Sequence, residues 1–343
     1  MLKPRGLERF LDLPPPMPPP DRLQLISSDG FRDYALLDCG AGRKLERFGA
    51  IVVDRPEPQA LWRAKLAKSE WSKAHAVFSA SGEDDEKGKW RVDKPVPDAW
   101  PVRISLSSGV PESGGSPRPQ PLPVSGRGSD ATAGGVTMLC KLAGLWHLGL
   151  FPEQYPHWQW MIDRIAAVKG ETPRVLNLFG YTGAASLIAA KAGAEVTHVD
   201  ASKKAIQWGK ENQSASKLDA AKVRWLIDDA AKFVAREVRR GKTYHVILVD
   251  PPKFGRGPEG EVWDLFKNLP DLLGDVAKLL APKDAAMVLT VYAIRASALA
   301  FDQLLRDALN GKGGSFESGE LAIRSQSGSL VPTSLFVRWN GQP

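Results

Sequence analysis

Residues 174–186 read RVLNLFGYTGAAS. A short apolar run gives way to two glycines three residues apart, Gly180 and Gly183, and small helix-forming residues follow at once. That succession reads as a strand, a tight turn and the start of a helix. Working outward, EVTHVD (195–200), VRWLID (223–228), YHVILVD (244–250) and AAMVLTV (285–291) are further strands. The stretches 184–193, 202–215, 230–241 and 269–282 carry helical patterns between them. Strands alternating with helices of this length imply βαβ units around a parallel sheet, hence an α/β fold. The chain ends differently: FESGELAIR (316–324) and SLFVRWN (334–340) are joined without a helix and predict an antiparallel hairpin on the sheet edge.

Upstream, RLQLIS (22–27), YALLDCG (34–40), KLERFG (44–49) and AIVVD (50–54) predict a small antiparallel sheet of hairpins. Residues 58–78 suggest a helix or part of one, and GKWRV and WPVRISL further strands. Residues 107–135 are dominated by Gly, Pro and Ser and read as a long loop or disordered insert. The expected organisation is a Pro-rich lead (1–20), a small β-rich domain (21–106), a Gly/Pro/Ser-rich loop or linker (107–145) and the α/β domain (146–343).

Composition narrows the class. With 43% hydrophobic and 25% charged residues, the 343-residue chain can bury a sizeable core, as a soluble globular protein does. Its net charge of +7 has no basic block, so charge alone only mildly favours an anionic partner. Cys39 and Cys140 have neither metal-ligand spacing nor a disulfide framework, which suits a reducing cytoplasm, and no metal is expected. No apolar run is long enough to span a bilayer, and the N-terminus lacks the apolar core of a secretory signal.

In open α/β sheets, ligands sit beyond the carboxyl ends of the strands, so the residues there carry the chemistry. Gly180 and Gly183 let the backbone turn tightly and approach a ligand at a helix N-terminus. Asp200 is placed to accept from the two hydroxyls of a ribose, which points to a nucleoside. Of Asp228 and Asp229, one can accept from an adenine amino group while the other caps the following helix. Asp250, Pro251 and Pro252 decide between nucleoside-dependent chemistries. Prolines remove donors and fix the chain, so their carbonyls, with the Asp250 carboxylate, can accept from a planar amino or ring N–H group. Orienting a nitrogen in line with a methyl donor is most of what a direct displacement needs. Phe254 reads as a base-stacking or a packed ring, Lys253 and Arg256 as phosphate contacts or solvated charges. Tyr292 walls the pocket or packs at a strand end.

Together VLNLFGYTGAASL, HVDASKKAI, DDAAKFV and VILVDPPKFGRG resemble the class I S-adenosylmethionine-dependent methyltransferases, with their Rossmann-like sheet. More closely, they resemble the bacterial 23S ribosomal RNA methyltransferases typified by RlmI and the RlmK half of RlmKL. HLGLFPEQYPHW (147–158) is similar to that family's approach segment. The resemblance implies that Phe151 and Gln154 enclose S-adenosylmethionine, and that Asn177, Phe179, Gly180, Tyr181 and Gly183 line its methionine side. It implies that Asp200 holds the ribose, Asp229 with Ala230 the adenine, and that Asp250 sits by the methyl group. Typical members carry an N-terminal PUA domain, and none is expected here.

Methylating carbon 5 of a pyrimidine needs a nucleophile, usually a cysteine thiolate. In the cytosine-methylating relatives it follows the fifth strand, where this chain has VLTVYAIRAS (288–297). The reading is therefore a cytoplasmic methyltransferase acting on a base nitrogen in RNA, ribosomal RNA foremost. A protein or small-molecule acceptor is the nearest alternative. A nicotinamide-dependent oxidoreductase and a non-catalytic RNA-binding module are more remote ones.

Overall fold

The computed structural model describes residues 22–81, 84–105, 135–144, 146–292 and 296–342. The proline-rich lead and residues 107–134 of the expected linker lie outside them. The chain runs through β1 (Gln24–Ser27), β2 (Tyr34–Gly40), β3 (Arg43–Phe48), β4 (Ile51–Pro56), a single helical turn α1 (Lys68–Trp71), β5 (Ala76–Ser81), β6 (Asp84–Val92), β7 (Trp100–Ile104) and β8 (Val136–Cys140). It continues with α2 (Tyr155–Ala167), β9 (Arg174–Leu178), α3 (Ala184–Lys191), β10 (Glu195–Asp200), α4 (Lys203–Ala215), β11 (Val223–Ile227), α5 (Ala230–Arg239) and β12 (Val246–Val249). A short hairpin, β13 (Phe254–Arg256) and β14 (Val262–Asp264), precedes α6 (Leu265–Val276), β15 (Ala286–Tyr292), α7 (Ala298–Ala308), β16 (Ser315–Arg324) and β17 (Leu330–Asn340).

The large sheet has the order β1-β16-β17-β15-β12-β9-β10-β11. Its five strands from β15 to β11 are parallel, as the alternating pattern predicts. Chain order runs outward from β9 through β10 to β11, then returns to place β12 on the other side of β9. A crevice opens at such a reversal, outside the carboxyl ends of the two strands. The segments after β9 and β12 therefore meet there.

Both faces of the sheet are covered, so its central strands are apolar at nearly every position. All four residues of β12 are buried. Val175, Val246, Leu248 and Val288 face a core shared with α2, α3 and the N-terminal strands. Their neighbours Leu176, Ile247, Val249 and Leu289 face α5, α6 and α7.

Four features differ from the sequence reading. The C-terminal hairpin is not the edge: β17 pairs antiparallel with β15, β16 follows, and β1 closes the sheet parallel to β16. Gly319 permits that closure, because a Cβ there would overlap the Gln24 carbonyl. RLQLIS thus leaves the small sheet, whose order is β2-β3-β4-β5-β6 with β4 and β5 parallel. Residues 58–78 hold only α1 and part of β5. Finally, β8 lies within the expected linker; its VTMLC alternates buried and half-buried side chains and pairs antiparallel with β7.

Candidate active site

The turn after β9 is strained. Phe179 and Tyr181 have φ of 57° and 51°, and Gly183 has φ of 85°. For a residue with a Cβ this left-handed conformation costs about 1–2 kcal/mol, so surrounding contacts must hold it. They do so from below. A Cβ on Gly180 would overlap the His198 ring, and one on Gly183 would stand 2.5 Å from Trp225. Asn177 donates to Ser186 Oγ at 2.9 Å, and Ser186 Oγ lies 2.8 Å from His198 Nδ1. Burial pushes the His198 pKa down to about 3, so this network is uncharged at neutral pH. Thr182 Oγ1 donates to the Gly149 carbonyl at 2.5 Å, and Asn212 Nδ2 to the Thr182 carbonyl at 3.0 Å. Asn177 thus sits beneath the turn, its amide nitrogen donating to Ser186.

Above the turn, Asp200 Oδ2 accepts from Tyr181 N and Oδ1 from Ser202 N, each at 2.8 Å. Burial raises its pKa, and the two N–H groups oppose that rise. Beside it opens a cleft lined among others by Phe179, Asp228, Asp229, Ala230, Arg256 and Trp263. Asp229 caps α5, its Oδ1 accepting from Lys232 N at 2.9 Å. Asp228 pairs with Arg236. Capping therefore falls to Asp229, the residue that the resemblance assigns to adenine, and no hydrogen bond reaches its Oδ2 among the described residues.

The β13–β14 hairpin forms the far wall, and the sequence did not announce it. Trp263 Nε1 donates to the Pro252 carbonyl at 2.7 Å, and its ring lies 5.0 Å from Phe179, centroid to centroid. The expectation of free proline carbonyls is thus corrected at Pro252: an indole N–H in hydrogen-bond reach takes that oxygen. The buried Pro251 has no carbonyl partner among the described residues. Lys232 on α5 binds Glu259, at 3.0 Å, and Glu261, which straps the hairpin tip to the cleft. Phe254 is 61% exposed, with Lys253 Nζ 5.2 Å from its ring centroid. Arg256 lies with the cleft-lining residues, apart from Tyr292 and Gln154.

A second cluster meets at the carboxyl end of β12. Gln154 Nε2 donates to Asp250 Oδ2 at 3.2 Å and to Tyr292 Oη at 2.6 Å. Asp250 Oδ1 is buried and has no hydrogen-bond partner among the described residues. Burial, and then the nearby Glu153 carboxylate, hold the Asp250 pKa well above the usual carboxyl range. Burial likewise raises Glu153 and Tyr292. Phe151 stands 5.5 Å from both Tyr181 and Tyr292, centroid to centroid. Both thiols are buried elsewhere, Cys39 on β2 and Cys140 on β8, and burial raises the pKa of each.

The structure thus brings Phe151, Gln154, Tyr181, Asp250 and Tyr292 together. Beside them it places a cleft with Phe179, Asp200, Asp229 and Ala230. Trp263 and Lys232 were missed; the only signal was a tryptophan count of 11 with no role to account for it. A cleft with a strained glycine turn and the Asp200 carboxylate at a strand end suits a nucleoside, and the orphaned Asp250 oxygen beside it suits an N–H donor.

Comparison with known proteins agrees. A family model for S-adenosylmethionine-dependent methyltransferases matches residues 133–308. The crystal structure of a SAM-dependent methyltransferase from Agrobacterium tumefaciens is 43% identical, with a TM-score of 0.80 over 92% of this chain and 93% of that one. SMU.776, assigned as a methyltransferase and solved with SAH, shares the fold at 17% identity and a TM-score of 0.63, covering 90% of this chain and 75% of its own. Ribosomal RNA large subunit methyltransferases K/L of Shewanella frigidimarina and Shewanella oneidensis are each 33% identical over 150 residues, 43% of this chain. The aligned part spans 20% of the length of either. On the family match and the Agrobacterium relative, this chain belongs to the S-adenosylmethionine-dependent methyltransferases.

Proposed function

We propose that this enzyme methylates a base nitrogen of RNA in the cytoplasm, ribosomal RNA foremost. S-adenosylmethionine supplies an electrophilic methyl group on a sulfonium sulfur. The observation that carries the reading is the buried Oδ1 of Asp250 at the end of β12, unpartnered among the described residues. Such an oxygen accepts an N–H, and with the Pro251 carbonyl it orients an amino group so that the nitrogen lone pair faces the methyl carbon. As the nitrogen takes that methyl group, it would give its proton to Asp250. A raised pKa makes Asp250 a better base for that proton than an ordinary carboxylate. Asp200 would hold the ribose hydroxyls; Asp229 Oδ2 and Ala230 would meet the adenine. Phe179, Tyr181 and the Gly180–Gly183 turn would enclose the methionine side, above the Asn177 network.

RNA as acceptor is supported by the ribosomal RNA large subunit methyltransferases among the relatives. The exposed Phe254, flanked by Lys253, suits a stacked base beside phosphates. The test is methyl-labelled S-adenosylmethionine with RNA from a strain lacking this gene, digested and resolved by nucleoside mass. Label on a base nitrogen, lost in Asp250→Ala, is the expected result. Label in 5-methylcytosine would refute nitrogen as the target, and label confined to protein or small molecules would refute RNA.

A further inference from the structure

We propose that Gln154 is a positioning residue that makes Asp250 and Tyr292 a matched acceptor–donor pair, so that the site selects an N–H whose neighbouring ring atom or carbonyl accepts a hydrogen bond. This rests on the reading of Asp250 as the group beside the acceptor nitrogen. The sequence resemblance gave Gln154 to the cofactor; the geometry points it at the acceptor.

A carboxamide nitrogen donates two hydrogen bonds and accepts none, so the direction of both Gln154 contacts is fixed. One hydrogen goes to Asp250 Oδ2, the other to Tyr292 Oη. Tyr292 is therefore an acceptor towards Gln154, and its own O–H remains for another partner. No described residue takes it. On Asp250, Oδ2 is occupied and Oδ1 remains, buried and unpaired among the described residues. One bridging amide thus leaves two complementary vacancies, an acceptor and a donor, near the ring of Phe151.

Buried groups without partners are costly, so a ligand that meets both is favoured over one that meets either. A planar ring with an amino group next to a ring nitrogen meets both, as does a ring N–H next to a carbonyl. A ring nitrogen without hydrogen offers Asp250 nothing to accept, and an aromatic carbon offers neither. The same amide also favours the ionised form of Asp250, against the larger effects of burial and Glu153. Gln154 therefore acts on the proton acceptor as well as on geometry.

The test uses the full chain and the variants Tyr292→Phe, Gln154→Glu and Gln154→Ala. Binding of S-adenosylmethionine is measured by calorimetry, apart from turnover, and kcat/KM for the RNA acceptor is followed against pH. For Tyr292→Phe and Gln154→Glu we expect acceptor kcat/KM to fall by on the order of 100-fold, the scale of one lost transition-state donor. Cofactor Kd should move by less than about threefold, the scale of one weak hydrogen bond. In Gln154→Ala the acid limb of the pH profile should move to higher pH. Cofactor Kd rising in step with the loss would overturn the proposal, as would an unmoved acid limb or an unaffected Tyr292→Phe. Should the Gln154 variants not fold, Tyr292→Phe decides alone, because it keeps the ring.

The labelled atom is the second readout. Label on an amino or ring N–H nitrogen beside an acceptor supports the pair. Label on guanine N7, a carbon or a ribose oxygen overturns it while RNA stands as substrate. Label in protein or a small molecule overturns the RNA reading, and the labelled atom then decides the pair by the same criterion.

Discussion

Asp250→Asn keeps the shape of the side chain and one carbonyl oxygen but removes the ionisable proton. In the folded chain, burial and Glu153 push the Asp250 pKa up, and the Gln154 hydrogen bond opposes them only in part. The unfolded chain returns the group to about 3.9. A raised folded pKa contributes stability that is complete below the unfolded value and is lost as pH rises through the folded one. Inside that window the folded carboxyl holds a proton that the unfolded one has released, and stability falls by about 1.4 kcal/mol per pH unit. Asn has no such slope. Urea unfolding without cofactor, followed by tryptophan fluorescence from pH 4 upward, should therefore give diverging curves. Asn gains about 1.4 kcal/mol on wild type for each unit until the folded pKa is passed. Glu153 is present in both proteins, so its own raised pKa largely cancels. Activity should move the other way, falling by about 10²- to 10⁴-fold, the contribution of a positioned general base. Parallel stability curves would refute the claim that burial raises the Asp250 pKa, and undiminished turnover would refute its role as proton acceptor.

Three further outcomes follow from the cleft. Gly180→Ala places a methyl group on the His198 ring, which Ser186 holds, so the turn must shift; a stability loss of about 1–3 kcal/mol and weakened calorimetric S-adenosylmethionine binding are expected. Trp263→Phe keeps a ring over Phe179 but strips the Pro252 carbonyl of its donor, and cofactor affinity should fall by about 0.5–1.5 kcal/mol, up to tenfold. Unchanged affinity would remove the hairpin from the cofactor site. Lys232→Ala frees Glu259 and Glu261; melting temperature should stay near that of wild type, since exposed ion pairs contribute little, while proteolysis within 254–264 accelerates.

The strand-end residues were legible because a parallel sheet imposes its own address. Each apolar run ends at the same edge, so Asp200, Asp229 and Asp250 could be placed without knowing any contact. Partners across long sequence separations were not legible. β1 is four residues long with Leu25 exposed, and nothing local says that it will pair beside Gly319. The hairpin after β12 has strands of three residues, too short for a period to emerge. Residues 58–78 show a further limit. Their spacing of Trp, Leu and Ala suits a helix, yet Lys65 N, Leu66 N and Trp71 Nε1 all donate to Asp38 Oδ2. A carboxylate from another strand takes N–H groups that a longer helix would have used, and helix propensity is too weak to resist such tertiary competition.

That same carboxylate ties the two halves of the chain together. Ser327, in the loop between β16 and β17, donates to Asp38 Oδ1 at 2.7 Å, and Gln59 donates to the Pro332 carbonyl at 3.0 Å. Strands β2 to β5 share one continuous apolar core with α2, α3 and a face of the large sheet. Behind the approach segment, Arg55 binds both oxygens of Glu46 at 2.6 and 3.0 Å and donates to the Trp146 carbonyl at 3.0 Å. Removing one partner of such a buried pair costs about 3–5 kcal/mol, so the strand–segment junction is held firmly. The held segment leads directly to Phe151, Glu153 and Gln154. The cleft lies at the ends of the parallel strands with the β13–β14 hairpin as its far wall, whereas Phe151, Glu153 and Gln154 follow a segment held by the N-terminal sheet. On the proposed reading, Glu46 of β3 and Arg55 of β4 would bear on the acceptor through the segment that runs from Trp146 to Gln154.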